Sequence, residues 1–211
     1  DGGCGGGRYL VALSNLGARE VQGIDLSEQH IEIVKKRLAD RNLTQASAQK
    51  ASVLDIPFED NYFDFVVSTG VIHHTPNPRA AFSELARVLK PNGRMFLAVY
   101  GKGGIRWIGT DIVRATLAKI IPFTAAEKFA KMIGVPANKR YNNMDNFYVP
   151  YCYRFMEKEI RSWFEQEGFG DIRRMPVDYY DYKSLLARIV YGEGWIQIYA
   201  DKKNVSRRQD Q

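Results

Sequence analysis

Long apolar runs, cysteine and histidine are all scarce in this sequence of 211 residues. No apolar run approaches the roughly 18 residues that a membrane-spanning helix needs, so we expect no transmembrane segment. The only cysteines are Cys4 and Cys152, which argues against a disulfide framework and favours a reducing, cytoplasmic compartment. Of the three histidines, two are adjacent and His30 stands apart, so we expect no metal site.

The composition is that of an ordinary globular protein. Hydrophobic residues make up 45% of the chain, enough for one domain (1–211) with a core and an inserted subregion. The net charge of +6 is mildly basic and does not by itself indicate nucleic acid. Part of this charge lies in residues 202–211, which we interpret as a polar tail.

Helical and strand patterns alternate over the first hundred residues and again after residue 154. The predicted strands are 20–26, 47–51, 62–70, 94–101, 171–178 and 194–201. The predicted helices are 6–17, 27–43, 77–90 and 156–168, with two more at 105–121 and 124–133. Such alternation predicts an α/β fold with a doubly wound, mostly parallel sheet and helices on both faces. Residues 102–154 interrupt the alternation and predict a helical, aromatic lid.

A glycine loop, "DGGCGGG", opens the chain directly before a predicted helix. Glycines lack a Cβ, so the backbone can approach a ligand, and a helix N-terminus offers unpaired N–H groups. Asp25 ends the next predicted strand, about twenty residues on, where an acid can accept hydrogen bonds from two ribose hydroxyls. The alternative for Asp25 is a helix cap beside Ser27. The loop lacks the G-x-G-x-x-G spacing of nicotinamide enzymes.

Four ordered motifs resemble those of the class I S-adenosylmethionine-dependent methyltransferases. They are "DGGCGGG", "GIDLS", "SVLDIPFEDNYFD" and "VVSTGVIHHTPNPRAAFSELARVLKPNGRMFLAVY". The resemblance is dense to about residue 101 and loose over 155–201. It implies a Rossmann-like fold, S-adenosylmethionine as cofactor and S-adenosylhomocysteine as product.

The resemblance also implies positions for the cofactor. The expected cofactor-binding residues are Asp1, Gly3, Gly5, Asp25, Leu26, Ser52, Val53, Ser68 and Thr69. Asp1 would lie near the methionine end, Asp25 would bind the ribose and Leu26 would pack on the adenine. Ser52 stands where many relatives carry an acid, so its contact to the adenine amine lacks charge. Asp55 is the nearby acid, with a turn-stabilising role as the alternative.

His73 and His74 are the candidate catalytic residues, at the carboxyl end of the strand 62–70. A histidine titrates near neutrality and can act as a general base. The alternative is that the pair packs and forms hydrogen bonds around the cofactor pocket. Methyl transfer from a sulfonium needs a base only when the nucleophile must lose a proton.

The lid supplies the candidate substrate-binding residues, since aromatic and amide side chains suit an organic substrate. They are Tyr100, Arg106, Tyr141, Asn146, Tyr148, Tyr151 and Arg154. The alternatives are that the aromatics form the lid's own core and that the arginines are surface charges. The apolar segment "IGTDIVRATLAKIIPF" could line an apolar tunnel or form a dimer contact.

Three functions are compatible with these features. We expect methylation of a small organic substrate, such as a secondary metabolite, by direct displacement. A wobble-uridine tRNA methyltransferase is an alternative, but the lid is not strongly basic as phosphate binding would require. A non-catalytic partner subunit is a third. We expect a small-molecule partner, no membrane and no nucleic acid, with a homodimer left open.

The position of the glycine loop leads to one more expectation. In the fold that the motifs resemble, this loop follows a central strand, of which only Asp1 is present here. A missing central strand would leave its neighbours with unpaired backbone groups. We therefore expect a strand, and a helix that covers the cofactor, upstream of Asp1.

Overall fold

Strands and helices alternate along the chain in the computed structural model, which describes residues 1–177, 181 and 184–204. Side chains at 138, 139, 141–143 and 145 are outside this description. The strands are β1 (Val21–Asp25), β2 (Ala46–Lys50), β3 (Phe63–Thr69), β4 (Leu89–Tyr100), β5 (Phe169–Arg174) and β6 (Trp195–Lys202). The helices are α1 (Arg8–Asn15), α2 (Glu28–Ala39), α3 (Pro78–Arg87), α4 (Ile105–Ala115), α5 (Leu117–Ile120), α6 (Phe123–Met132), α7 (Ala137–Tyr148), α8 (Glu157–Gln166) and α9 (Leu185–Tyr191), with a 3₁₀ turn at Ile72–His74.

The strands form a mixed α/β arrangement in which the motif-bearing strands run parallel. β1 pairs with β2 in parallel, and β3 pairs with β4 in parallel. β6 then lies antiparallel between β4 and β5, so the second sheet has the order β3-β4-β6-β5. This confirms the predicted fold class, a doubly wound sheet flanked by helices.

The glycine loop begins between β1 and β3. The N–H of Gly2 donates to the Val67 carbonyl at 2.8 Å, and Asp1 accepts from the Ile24 N–H at 3.0 Å. Farther along these two strands, an opening is lined by Ile24, Phe63 and Phe65, among others, and Phe65 is 39% exposed. Strand β3 is therefore not covered along its whole length. The upstream strand stays a prediction.

Two apolar clusters form the core. The larger joins β3, β4 and β6 to α3 and α8, and the smaller joins β1 to α1 and α2. Helix α3 buries Ala81, Phe82 and Leu85 because helical spacing places them on one side. The Phe82 ring meets the ring of Phe164 in α8 edge-on, with centroids 4.8 Å apart. The Phe82 ring also lies 5.8 Å from the ring of Trp163, so two aromatic contacts join α3 to α8.

The insertion after β4 is closed at its base. Gly101 and Phe155 form a parallel bridge, and the Lys102 N–H donates to the Phe155 carbonyl at 2.8 Å. Helices α4 to α7 lie between these two points. Among the residues that the structure describes, no helix is long and apolar enough to cross a membrane.

Several element boundaries differ from the sequence-based predictions. Helix α3 ends at Arg87 rather than at Pro91, because Leu89 already pairs with Phe63 in the sheet. The chain bulges before pairing resumes at Arg94, opposite Phe65.

Two helices were not predicted, and the tail starts later than expected. The Asn-rich aromatic stretch forms α7, and Ser184 caps α9 by accepting from the Ala187 N–H. Lys202, assigned to the tail, belongs to β6 and donates to the carbonyls of Ala86 and Leu89. Residues 205–211 of the tail lie outside the described residues.

The aromatic contact between α3 and α8 makes a testable contribution to stability. Phe82 is fully buried, so Phe82→Ala should lower the free energy of unfolding by about 3–5 kcal/mol in urea titrations. Leu16→Ala is the control, since Leu16 is 83% exposed and should cost less than about 0.5 kcal/mol. Equal losses in the two variants would contradict the described packing.

Candidate functional site

A cavity of about 910 Å³ lies at the carboxyl ends of the parallel strands. Asp25 reaches it from the end of β1, Thr69 from the end of β3 and Tyr100 from the end of β4. Trp195 enters from the start of the antiparallel β6. In open α/β sheets this edge is where ligands bind, and the volume is in the usual range for a small-molecule site.

The glycine loop forms one wall of the cavity, and it needs glycine for two different reasons. Gly3 has a left-handed φ of +83°, and a Cβ there would collide with the Val71 side chain. Gly5 has φ +48° and meets no atom within 4 Å, so a Cβ there would extend into open space at the cavity wall. Gly3 therefore permits the tight packing of the loop, and Gly5 leaves room for a ligand.

Asp25 ties the loop to β1. Its Oδ2 accepts from the Gly5 N–H at 2.8 Å, and its Oδ1 accepts from the Ser27 N–H at 2.9 Å. The Nδ1 of His30 is 3.2 Å from the same Oδ1. Both roles considered for Asp25 are therefore compatible with its geometry, because a carboxylate offers about four acceptor sites and can also accept from a ligand.

Cys4 lies in the loop but is no candidate nucleophile. Burial, and then the charge of Asp25, raise the pKa of the Cys4 thiol to about 11. The thiol is therefore protonated near neutrality, and only a thiolate is strongly nucleophilic.

Most of the predicted cofactor-binding residues line this cavity. They are Asp1, Gly3, Gly5, Asp25, Leu26, Val53 and Thr69. Ser68 differs, because it is fully buried and its Oγ donates to the Gly2 carbonyl at 2.8 Å. Successive residues of a strand face opposite sides, so Thr69 faces the cavity while Ser68 supports the loop. Ser52 instead accepts from the Leu54 N–H and bridges to Asp55, which gives both a role in that turn.

The two histidines occupy very different environments. His73 is fully buried, and neither of its ring nitrogens has a hydrogen-bond partner among the described residues. Burial, with a smaller effect of neighbouring His74, lowers the pKa of His73 well below 6.5. His74 lines the cavity, and its Nδ1 lies 2.7 Å from the carbonyl of Tyr151. Since a carbonyl only accepts, that Nδ1 carries a proton and the ring's basic lone pair is at Nε2.

Aromatic rings line the part of the cavity where β4 ends and β6 begins. Tyr100 packs on His73 with ring centroids 4.1 Å apart and on Trp195 at 5.2 Å. The buried ring of Trp107 supports Tyr100 from the lid at 5.3 Å. The cavity thus has a polar end at Asp25 and an aromatic end at Tyr100 and Trp195.

Among the predicted substrate-binding residues whose side chains are described, Tyr100 lines the cavity and the others do not. Arg154 instead forms a two-point ion pair with Asp111, at 2.6 and 2.8 Å, and lies over the Trp107 ring. The guanidinium of Arg106 is exposed beside that same ring. Arg154 therefore stabilises the lid through Asp111, and Arg106 lies on the lid surface.

The remaining predicted residues also serve the lid. Asn146 is buried and its carbonyl accepts from Arg114 at 2.7 Å, while the Tyr148 hydroxyl donates to the Ile121 carbonyl at 3.0 Å. Tyr151 is 40% exposed and contributes its carbonyl, which His74 binds. The side chain of Tyr141 lies outside the described residues.

Several cavity-lining residues were not predicted from the sequence. They are Arg8, Tyr9, His30, Ile33, Arg37, Val149, Trp195 and Gln197, among others. One signal was available for the last two: in "GWIQIYAD", Ile196 and Ile198 are buried, and the alternation puts Trp195 and Gln197 on the other face. Arg37, which donates to the Gly6 carbonyl from α2, carried no such signal.

Comparison with known proteins shows that the first half of the chain is similar to methyltransferases. Residues 1–97 match the family model described as "Methyltransferase domain". Phosphoethanolamine N-methyltransferase 2 of Caenorhabditis elegans is 38% identical over 101 residues, 48% of this chain and 23% of the relative. A ubiquinone biosynthesis O-methyltransferase of Neisseria meningitidis is 29% identical over 123 residues, 58% of this chain and 52% of the relative. The matched region thus spans about half or less of each relative.

The fold is shared over a longer part of the chain. The YcgJ protein of Bacillus subtilis superimposes with a TM-score of 0.61 over 96% of this chain and 90% of its own, at 18% identity. Likeness at this level of identity concerns the fold alone. The first 97 residues are thus similar to a methyltransferase domain, in agreement with the resemblance seen in the motifs, and the fold is shared over almost the whole chain.

Proposed function

We propose that this protein transfers a methyl group from S-adenosylmethionine to a small organic acceptor. The single observation that carries the proposal is the shape of one cavity. At one end Gly5 leaves space beside the Asp25 carboxylate, and at the other the rings of Tyr100 and Trp195 form an apolar wall. Such a cavity suits two ligands placed end to end, a polar nucleoside and an apolar acceptor.

The residues at the polar end fit S-adenosylmethionine. Asp25 retains acceptor capacity for ribose hydroxyls, Leu26 offers an apolar face for adenine, and Gly3 and Gly5 admit the methionine portion. When bound, S-adenosylmethionine supplies a methyl group activated by a positively charged sulfur. The protein's part is to bind both ligands, align them and exclude water.

The aromatic end of the cavity orients the methyl acceptor, and His74 there can accept its proton. Tyr100 and Trp195 bound the space in which a planar or apolar acceptor can lie. His74 is oriented by its contact with the Tyr151 carbonyl, and its basic lone pair is at Nε2. An acceptor hydroxyl can give its proton to that nitrogen as the oxygen becomes a nucleophile. His73 cannot serve in this way because its protonated form is disfavoured by burial.

The relatives support a small acceptor without identifying it. Their names assign an O-methyltransferase and a phosphoethanolamine N-methyltransferase, so the same domain serves different acceptor atoms. Because these matches cover only part of each relative, the acceptor of this protein is left to experiment. The base at His74 favours a hydroxyl.

Binding of the cofactor product tests the proposal directly. The wild-type protein should bind S-adenosylhomocysteine in isothermal titration calorimetry, and Gly5→Ala should weaken binding by at least about tenfold because the methyl group takes ligand space. The control is Gly17→Ala, which has φ +88° and open surroundings but lies outside the cavity. Both variants incur the left-handed backbone penalty of about 1–2 kcal/mol. Absence of binding to the wild-type protein would refute the proposal.

The role of His74 predicts a separation of rate from cofactor affinity. With an acceptor found by screening organic compounds for a gain of one methyl group, His74→Gln should lower kcat about 100-fold or more. Its affinity for S-adenosylhomocysteine should stay within about twofold, since His74 follows β3 whereas the proposed ribose ligand Asp25 ends β1. His30→Gln is the matched control: it borders Asp25, so it should change cofactor affinity and keep kcat at saturation. An unchanged kcat in His74→Gln would rule out His74 as the general base.

The buried His73 predicts a pH dependence of stability. Its pKa is lowered in the folded state, whereas an unfolded histidine titrates near about 6.5. Below that pH the unfolded chain takes up a proton that the folded protein does not. As the pH falls below about 6.5, the free energy of unfolding should therefore decrease by up to about 1.4 kcal/mol per pH unit. Above about pH 6.5 the stabilisation from keeping His73 neutral is fully present. His73→Phe should lose this slope in urea titrations, while parallel curves for the two proteins would contradict it.

A further inference from the structure

An apolar surface on the insertion has no role in the proposed reaction. On α4, Ile105, Ile108 and Ile112 are about three-fifths exposed, at 60%, 59% and 59%. The neighbouring α5 and α9 add further exposed apolar side chains, which are Leu117, Ile120, Leu185, Leu186 and Ile189. We call these eight residues the lid face. Their exposure argues against the apolar tunnel considered from the sequence.

The geometry of α4 shows that this exposure is directional. Ile105, Ile108 and Ile112 follow helical spacing and share one side of α4. A different side carries Trp107, Asp111 and Arg114, which are engaged with Tyr100, Arg154 and the Asn146 carbonyl. Helix α4 is therefore fixed to the protein by one side while the other side presents isoleucines.

Helix α9 continues the lid face. The start of α4 abuts the end of α9, since a Cβ on Gly104 would collide with the backbone of Tyr191 and Gly192. The exposed leucines of α9 are thus carried on a helix adjoining α4. Contiguous apolar patches of this kind on a protein surface mark interaction sites.

Charge narrows the choice of partner. Residues 102–154 contain nine lysines and arginines but three acidic residues, so the expectation of a lid that is not strongly basic was wrong. Exposed basic side chains on the helices of the lid face are Arg106, Lys119 and Arg188, and α6 adds Lys128 and Lys131. Among the described residues, these five make no ion pair with a carboxylate.

We propose that the lid face docks the protein on an anionic phospholipid surface. Exposed isoleucine and leucine beside lysine and arginine are the combination that interfacial helices use, burying apolar side chains while basic groups meet anionic headgroups. A second copy of this chain would bring a like-charged face. Nucleic acid would use the basic groups but leave the exposed isoleucines in water. The sequence-based expectation of no membrane partner considered only spanning segments.

The docking surface is connected to the cavity through Arg114. This side chain of α4 donates to the carbonyls of Asn146 and Val149, and Val149 lines the cavity. Docking of α4 therefore acts on an element that borders the site, although the proposal does not depend on the methyl transfer itself.

Vesicle sedimentation tests the docking. The full-length protein should sediment with vesicles of equal parts phosphatidylglycerol and phosphatidylcholine, and only weakly with phosphatidylcholine alone. The double variant Ile108→Ser with Ile112→Ser should bind the anionic vesicles at least about tenfold more weakly, because two apolar side chains leave the interface. Leu16→Ser is the matched control, since Leu16 is also exposed but lies directly after α1, outside the insertion. S-adenosylhomocysteine binding by each variant shows that the fold is intact.

Charge variants separate lipid from the other partners. Arg106→Gln and Lys119→Gln should each weaken anionic vesicle binding about fivefold, whereas exposed Lys36→Gln on α2 should not. Equal binding to both vesicle types, or a double variant that binds like the wild type, would overturn the proposal. The proposal would also be overturned if the protein did not bind vesicles but formed a dimer in light scattering, or bound tRNA, and the lid-face variants lost that association.

Discussion

The carboxylate of Asp25 is the interaction on which the site depends. It accepts from Gly5 on one oxygen and from Ser27 on the other, so a single side chain fixes the glycine loop and the start of α2. Hydrogen bonds to a charged group are roughly twice as strong as neutral ones. The bond between Asp25 and the Gly5 N–H joins two residues that are 20 positions apart in the chain. The loop's left-handed backbone at Gly3 and Gly5 is held in place by that contact.

A second set of contacts joins the insertion to the same cavity. His74 binds the Tyr151 carbonyl, and the Tyr153 N–H donates to the His73 carbonyl at 2.9 Å. The residue that could take a proton is therefore positioned by the lid, while the ring beneath it is held by the sheet through Tyr100 and Trp195. In the proposed reaction, both the orientation of the acceptor and the orientation of His74 would depend on this junction between lid and sheet.

The sequence predicted those features that depend on residues close together in the chain. The loop, Asp25 and the strands that carry the motifs follow from glycine spacing and apolar periodicity, and the structure places them as predicted. The lid could not be read in this way, because the partners of Arg154 and Tyr148 are set by tertiary packing. Alternation along β6 indicates the face on which Trp195 lies, but its place in the cavity depends on antiparallel pairing with Tyr100, almost a hundred residues earlier.

The bridge between Gly101 and Phe155 bears on how such proteins diversify. Because the two ends of the insertion meet in this bridge, a change in the length of the segment between them need not separate the end of β4 from the start of α8. Loop-closure entropy grows only slowly with length, by about 0.6 kcal/mol per doubling. The insertion can therefore vary in length during evolution at a small entropic cost, provided that its contacts with His74 and Tyr100 are kept.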